Sequence, residues 1–244
     1  MNICLFTSEE IGTPLSTRDE RGQHLIKVLH KKEGETFSAG VIGGKAGKAT
    51  ITKIEGEKIW FDFVEETDGK NLFPLKMIIG FPRPIQLKRL LRDMAALGVS
   101  EVHLTKTELT EKSYLDSDLA TTDAGTKMLL DGTVQAASTH VPDLFIHKSL
   151  KECIDYIKAR SHENVSLCAL DNIEPETSLG NLKFNGDFGA CAAIGSERGW
   201  TAKERQLMKD NGFTLLGMGS RVMRTETAAT VAASIILNSM GCLA

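Results

Sequence analysis

Phe213-Thr214-Leu215-Leu216-Gly217-Met218-Gly219-Ser220-Arg221-Val222-Met223-Arg224-Thr225-Glu226-Thr227-Ala228 is the stretch on which the reading of the fold turns. An apolar run empties into two glycines, and two arginines and a glutamate then crowd the start of an alanine-rich helix. Buried strands of open α/β sheets stop in this way beside a ligand, because glycine lets main-chain groups come close to it. The same grammar stands just upstream. The apolar run 188–194 ends in Gly195-Ser196-Glu197-Arg198-Gly199, then comes Trp200, and Thr201-Ala202-Lys203-Glu204 reads as a capping box opening a helix. Two glycine-ended strands in succession describe one crevice, with Trp200 read as buried under the helix.

Outward from there, strands alternate with helices from residue 75 onward. The run 75–81 ends at Pro82-Arg83-Pro84, and 86–97 carries Leu87, Leu90, Leu91 and Met94 at helical spacing with Lys88, Arg89 and Arg92 facing out. Residues 99–104 read as a strand, the polar stretch 105–126 as a loop, and 127–138 as a helix stopped before Pro142. Strand, helix and strand follow at 144–147, 150–160 and 165–170, and then 171–187, with Pro175 and Gly186, as a long loop of the functional kind. A βα-repeating domain of five or six strands covered on both faces is largely parallel. Its ligands sit beyond the carboxyl ends of the strands, where Asp171, Gly195 and Gly217 fall.

Residues 1–70 obey a different grammar. Short alternating runs at 3–6, 36–41, 49–54 and 58–64, separated by Gly43-Gly44 and Glu55-Gly56-Glu57, suggest a small β-barrel. One helix over 22–30 interrupts them, its apolar residues Leu25, Val28 and Leu29, with Arg21, His24, Lys27 and Lys31 near the rim. Asp68-Gly69-Lys70-Asn71 and Pro74 mark the linker. The formal net charge of −3 is not that of a generic nucleic-acid binder, so positive charge must be local; residues 18–48 carry seven Lys or Arg against four Asp or Glu. The five cysteines lack paired spacing and read as reduced packing residues. No apolar run approaches the roughly 20 residues of a membrane span, and no basic-then-apolar leader opens the chain, so a cytoplasmic protein is expected.

Several chemistries lack their signatures. There is no GxGxxG after the first strand, no GxSxG, and no histidine pair at ligand spacing, which leaves a dinucleotide site, a serine hydrolase and a metal centre unsupported. Gly43 to Lys48 lacks the glycine that GxxxxGK requires. Glycine-lined backbone is left to do the binding.

In these residues the chain resembles the SPOUT methyltransferases, in particular the bacterial 16S rRNA (uracil-N3)-methyltransferases. Their patterns IGPEGG and LGxRILRxETA stand here as Ile194-Gly195-Ser196-Glu197-Arg198-Gly199 and Met218-Gly219-Ser220-Arg221-Val222-Met223-Arg224-Thr225-Glu226-Thr227-Ala228. Arg21-Gly22-Gln23-His24 with Val28-Leu29, and Leu97-Gly98-Val99, extend the resemblance along the chain. Departures stand beside the matches. Ser196 and Arg198 replace Pro and Gly, Asp93 and Ala96 replace the Lys and Glu of KATELGV, and Val134-Gln135-Ala136-Ala137-Ser138 keeps neither the acid nor the arginine of EQSxR. These bear on the substrate side.

The resemblance implies an α/β fold: a carboxy-terminal SPOUT domain over 71–244, with a trefoil knot and a mostly parallel sheet covered by helices on both faces, preceded by a PUA-like β-barrel RNA-binding domain over 1–70. It implies S-adenosylmethionine bound by Leu170, Ile194, Gly195, Gly199, Leu216, Gly217, Met218, Gly219, Ser220, Val222 and Met223. It also implies a homodimer built through the apolar helix 228–237, read as buried all round. The expected reaction moves a methyl group to N3 of a uridine in 16S rRNA, within the small ribosomal subunit and without a metal, and Arg18, Arg21, His24, Lys27 and Lys31 would hold RNA phosphates. N3 becomes nucleophilic only when its proton leaves. Charge then spreads onto the flanking carbonyls, which suits a fixed guanidinium. Arg224 is the first candidate and Arg221 the second, with Glu226 either orienting Arg224 through a buried ion pair, the favoured role, or taking the proton. The alternatives are the same chemistry at another RNA site, or a catalytically silent RNA-binding relative.

Overall fold

A computed structural model of the chain describes residues 2–115 and 123–243. Two compact units emerge: Met1–Asn71 with Thr133–Val141, and Leu72–Gly132 with Pro142–Ala244.

The first unit is a curled five-stranded sheet of β1 (Cys4–Phe6), β2 (Leu15–Ser16), β3 (Thr36–Val41), β4 (Ala46–Glu55) and β5 (Lys58–Thr67), in the order β1-β3-β4-β5-β2. The β1–β3 pair is parallel and the others antiparallel. Register shifts between Ala46/Gly47 and Ile51/Lys53 bend the long β4–β5 ribbon. The result is a curled half-barrel with β1 and β2 at its edges, the form that the small β-barrel expected of residues 1–70 takes. Phe6, Phe37 and Phe61 fill its concave side, the Phe6 and Phe61 rings 4.8 Å apart. A short helix, α1 (Glu20–Gln23), is capped by Asp19 and runs into one π-helical turn, His24–Val28. That turn takes an extra residue, which swings Val28 and Leu29 off the Leu25 face. Both are exposed, contrary to the apolar face expected of them.

The second unit is built on seven strands: β6 (Phe73–Gly80), β7 (Val99–Thr105), β8 (Asp143–His147), β9 (Ser166–Leu170), β10 (Thr177–Ser178), β11 (Ala190–Ile194) and β12 (Thr214–Gly217). Their order is β10-β12-β9-β11-β6-β7-β8, and every pair is parallel. The helices among the described residues are α2 (Pro84–Leu97), α3 (Lys112–Leu115), α4 (Ala124–Gln135), α5 (Leu150–Lys158), α6 (Ala202–Asp210) and α7 (Thr225–Ser239). Leu150, Cys153, Ile154 and Ile157 of α5 and Met208 of α6 pack on Ile78, Ala169, Cys191, Ala193 and Leu215. From the other side α7 packs on α2, β6 and β11. Leu87, Leu90, Leu91 and Met94 form the buried stripe of α2, as their spacing predicts.

Other details differ from expectation. The 171–187 segment holds β10 and a 3-10 turn, Leu179–Asn181, that extend the sheet's edge. Of the expected loop 105–126, residues 116–122 lie outside the described residues, and α3 and the start of α4 occupy part of the rest. Helix α7 is buried on one side only, through Ala228, Ala229, Ala232, Ala233, Ile236 and Leu237, while Thr227 and Asn238 are exposed and Val231, Ser234 and Ile235 half-buried. Small residues let it lie close to the sheet without needing cover all round. The cysteines are free, and burial pushes the Cys168 thiol up to about 12. No helix among the described residues is long and apolar enough to cross a membrane.

Candidate active site

Sheet order explains why the glycine-rich loops meet. β12, β9 and β11 are neighbours and run the same way, so the segments after Gly217, Leu170 and Ile194 leave one edge of the sheet side by side. They enclose a cleft of about 610 Å³. Of the residues expected there, Leu170, Ile194, Gly195, Gly199, Leu216, Met218, Gly219, Val222 and Met223 line it, as do Arg221, Arg224 and Glu226. Gly217 and Ser220 do not. A Cβ on Gly217 would come within 3.2 Å of Pro175, so that glycine serves the packing beside β10, and Ser220 is an exposed residue of the bend.

The glycines divide by task. At Gly195 a Cβ would stand 3.0 Å from the backbone of Gly199, and at Gly80 one would stand 2.5 Å from the Ser196 nitrogen. Both are needed to fold the 195–199 turn, which the Gly199 N–H closes by donating to the Ser196 carbonyl at 2.8 Å. Gly219, by contrast, has φ +95° and open space around it, so its need for glycine is conformational. Thr225 donates to the Gly195 carbonyl at 3.5 Å, tying the start of α7 to the turn.

Behind the cleft, Asp171 fixes the loop after β9. Its Oδ1 accepts from the N–H groups of Ile173 and Glu174 at 2.6 and 2.9 Å, and its Oδ2 from Arg205 Nε at 2.6 Å, with both side chains buried. Trp200 is buried as expected, its indole N–H donating to the Leu170 carbonyl at 3.0 Å. The capping box read at Thr201 and Glu204 is present.

The charged trio is more open than its sequence suggested. Arg221 and Arg224 are exposed, Glu226 is half-buried, and no ion pair joins Arg224 to Glu226 among the described residues. The expected buried pair is therefore corrected: Arg224 is the extended N-cap residue and Glu226 lies in the first turn of α7, on an open rim where neither side chain is driven onto the other. Arg224 occupies the N-cap position of α7 without a side-chain hydrogen bond, leaving first-turn N–H groups available to a ligand. Val222 is 81% exposed, an apolar side chain waiting for cover. Arg83, Gln86, Asn172, Ile173 and Glu197 also line the cleft and were not singled out. The first two follow β6, which lies beside β11 only through a non-sequential pairing that no local pattern announces.

In the first unit the expected phosphate contacts separate. Arg21 is fully engaged. Nε donates to Asp19 at 3.0 Å, Nη1 to the Leu5 carbonyl and to Glu10 at 2.8 and 2.9 Å, and Nη2 to Glu10 and Asp19 at 2.6 and 2.9 Å, while the guanidinium lies 4.9 Å from the Phe6 ring centre. All five N–H donors are used, so Arg21 is a structural residue and not a phosphate contact. Its hydrogen bonds hold the Glu10 and Asp19 carboxyls below the usual range. His24 Nε2 is covered without a partner, and burial pulls its imidazole down, so that nitrogen is not offered to RNA either. The Arg18 side chain makes an exposed pair with Glu57, Lys27 is exposed and Lys31 half-buried.

The fold also assembles what sequence spacing did not foretell. His103, His147 and Cys153 place their ligand atoms within 4.8 Å of one another. His103 Nδ1 and His147 Nε2 share a hydrogen bond at 3.0 Å, and His103 Nε2 meets Glu101 at 2.9 Å, with Lys76 3.0 Å from Glu101. Each His103 nitrogen is thus satisfied by protein, as befits a buried polar relay.

Residues 69–237 match the family model for the RNA methyltransferase domain. Among curated proteins, the chain is 41% identical to the ribosomal RNA small subunit methyltransferase E of Treponema pallidum, over 97% of this chain and 91% of that one. It is 35% identical to ribosomal RNA small subunit methyltransferase E 1 of Borreliella burgdorferi, over 98% of each. Among solved structures, the ribosomal RNA small subunit methyltransferase E of Neisseria gonorrhoeae, bound to S-adenosyl methionine, superposes with a TM-score of 0.80 at 19% identity, covering 98% of this chain and 97% of that one. That likeness shows a common fold.

Proposed function

This chain belongs to the RNA methyltransferase family, and from that premise we infer that it moves a methyl group from S-adenosylmethionine to N3 of a uridine in 16S ribosomal RNA. One observation carries the reading: three adjacent parallel strands end in loops that enclose a 610 Å³ cleft, with Arg224 and Glu226 at its rim. The volume lies within the usual range of cofactor sites, about 300–1,000 Å³. Its apolar wall of Leu170, Ile194, Leu216, Met218 and Val222 suits adenine. The glycine backbone of the 195–199 turn and the open space around Gly219 let a ligand approach the main chain closely. S-adenosylmethionine supplies an electrophilic methyl group on its sulfonium sulfur.

The protein's own part is to hold and to polarise. As the N3 proton leaves, the Arg224 guanidinium stabilises charge on a flanking carbonyl oxygen, with Arg221 in reserve on the same loop. Glu226, free of any ion pair with Arg224, is assigned to that proton as its acceptor. Arg18, Lys27 and Lys31 supply phosphate contacts from the first unit. The open side of α7 and the bare Val222 favour a homodimer, since apolar surface left at a cleft rim calls for cover. A 16S rRNA substrate, taken within the small ribosomal subunit, supports a cytoplasmic protein.

The test is single-turnover methyl transfer by Arg224→Ala, with cofactor affinity measured by calorimetry. The rate should fall about a hundredfold or more, as on removal of an oxyanion donor, with affinity little changed. An unchanged rate would remove Arg224 from the chemistry.

A further inference from the structure

Beside the large cleft, and sharing Arg83, Ser196, Glu197 and Arg198 with it, lies a second cavity of about 110 Å³. Phe81, Leu109 and Tyr114 stand in its walls among Thr110, Glu111 and the shared polar residues, and polar groups make up most of its surface. Its cations are already balanced. Arg198 pairs with Glu111 at 2.6 Å, and Arg83 Nε lies 3.3 Å from Glu197 and donates to the Tyr114 hydroxyl at 3.1 Å. The cavity is therefore near neutral, which disfavours a phosphate and favours an uncharged heterocycle.

Ser196 stands where the two cavities meet. It is 7% exposed, and its Oγ is covered and without a hydrogen-bond partner. A buried hydroxyl left so is costly unless a ligand completes it. Its position is not adjustable, because the carbonyl of Ser196 closes the turn with Gly199 and its nitrogen is packed against Gly80. Ser196 and Arg198 are also the two places where this chain departs from the IGPEGG pattern.

We propose that the small cavity seats the target base of the RNA and that the Ser196 hydroxyl donates a hydrogen bond to one of its ring carbonyls. The proposal rests on the methyltransferase reading of the adjoining cleft. An enzyme that modifies a base must take it out of its stack and bed it beside the reactive group, between apolar or aromatic surfaces. A near-neutral recess with Tyr114 in its wall, polar groups over most of its surface and an opening onto the cofactor cleft can seat such a base and read its edges. A uracil ring offers carbonyl acceptors on both sides of N3, and a single fixed donor at O4 both orients the ring and favours it over cytosine, which carries an amino group there and shares only the O2 carbonyl.

Ser196→Ala and Ser196→Thr in the full-length protein test this through three readouts: S-adenosylmethionine affinity by calorimetry, RNA affinity without cofactor, and single-turnover transfer at saturating cofactor to transcripts bearing uridine or cytidine at the target. Ser196→Ala should leave cofactor affinity unchanged and weaken RNA affinity. It should slow transfer to uridine about tenfold to a hundredfold, as the loss of one buried hydrogen bond in a polar-reading site does, and narrow the preference over cytidine. Ser196→Thr, which keeps the hydroxyl, should retain most of the wild-type rate. If Ser196→Ala instead weakens cofactor binding and leaves transfer at saturating cofactor intact, the hydroxyl belongs to the cofactor and the proposal falls. It falls equally if all three readouts are unmoved. Wild-type protein that binds cofactor yet transfers no methyl to rRNA would overturn the methyltransferase reading, and the base seat with it.

Discussion

Replacing Arg21 by Met keeps a flexible apolar stem over Phe6 and deletes the guanidinium that five hydrogen bonds engage. Two carboxylates, Glu10 and Asp19, then lose the cation between them. Breaking a fully buried pair costs about 3–5 kcal/mol, whereas an exposed pair is worth about 0–1 kcal/mol. Here the side chains are 21% (Arg21), 37% (Glu10) and 31% (Asp19) exposed. Discounting for that water, the loss should be about 2–3 kcal/mol at neutral pH, read by equilibrium urea unfolding. The pH dependence has a definite sign. Both carboxyls are depressed, chiefly by hydrogen bonds from Arg21, below their ordinary values of 4.5 and 3.8. Their contribution is full above those values and is lost as the pH falls through the folded ones, so the gap between wild type and Arg21→Met should narrow steadily in acid. RNA binding by the folded variant should keep its salt slope. A stability change below about 0.5 kcal/mol, together with a salt slope reduced by about one unit, would make Arg21 a phosphate contact after all.

Gly219→Val should lower S-adenosylmethionine affinity by at least about tenfold with the fold intact, since a β-branched residue at φ +95° costs roughly 1–3 kcal/mol and re-forms the loop; unchanged calorimetric affinity would remove this loop from the cofactor site. Gly195→Val is expected to fail differently, by disrupting the turn against Gly199 and lowering stability. Asp171→Ala leaves the Arg205 guanidinium buried without its partner and should cost about 3–5 kcal/mol in urea unfolding; a loss under about 1 kcal/mol would mean that water reaches the pair.

Much of the second unit was legible because its signals are local. Leucine spacing marked the buried stripe of α2, the Thr201–Glu204 box marked the start of α6, and apolar runs emptying into glycines marked β11 and β12. What escaped depends on contacts remote in sequence. Arg83 reaches the cleft only because β6 pairs with β11, and Gly80 matters only because Ser196 packs on it. The charge of Arg21 gave no hint that Glu10, eleven residues upstream, and the Leu5 carbonyl would absorb its donors. His103 and His147 are 44 residues apart, and only the β7–β8 pairing makes them neighbours. The ion pair expected between Arg224 and Glu226 failed for a different reason. Adjacency in sequence at a helix start does not fix which way two side chains on an open rim will turn.

The most direct measurement is nucleoside mass spectrometry of small ribosomal subunits incubated with the purified protein and isotopically labelled S-adenosylmethionine, the subunits taken from a strain lacking the corresponding modification. One labelled N3-methyluridine per 16S rRNA is the expected result. Label on a different nucleoside, or none under conditions in which calorimetry shows the cofactor bound, would contradict the assigned reaction.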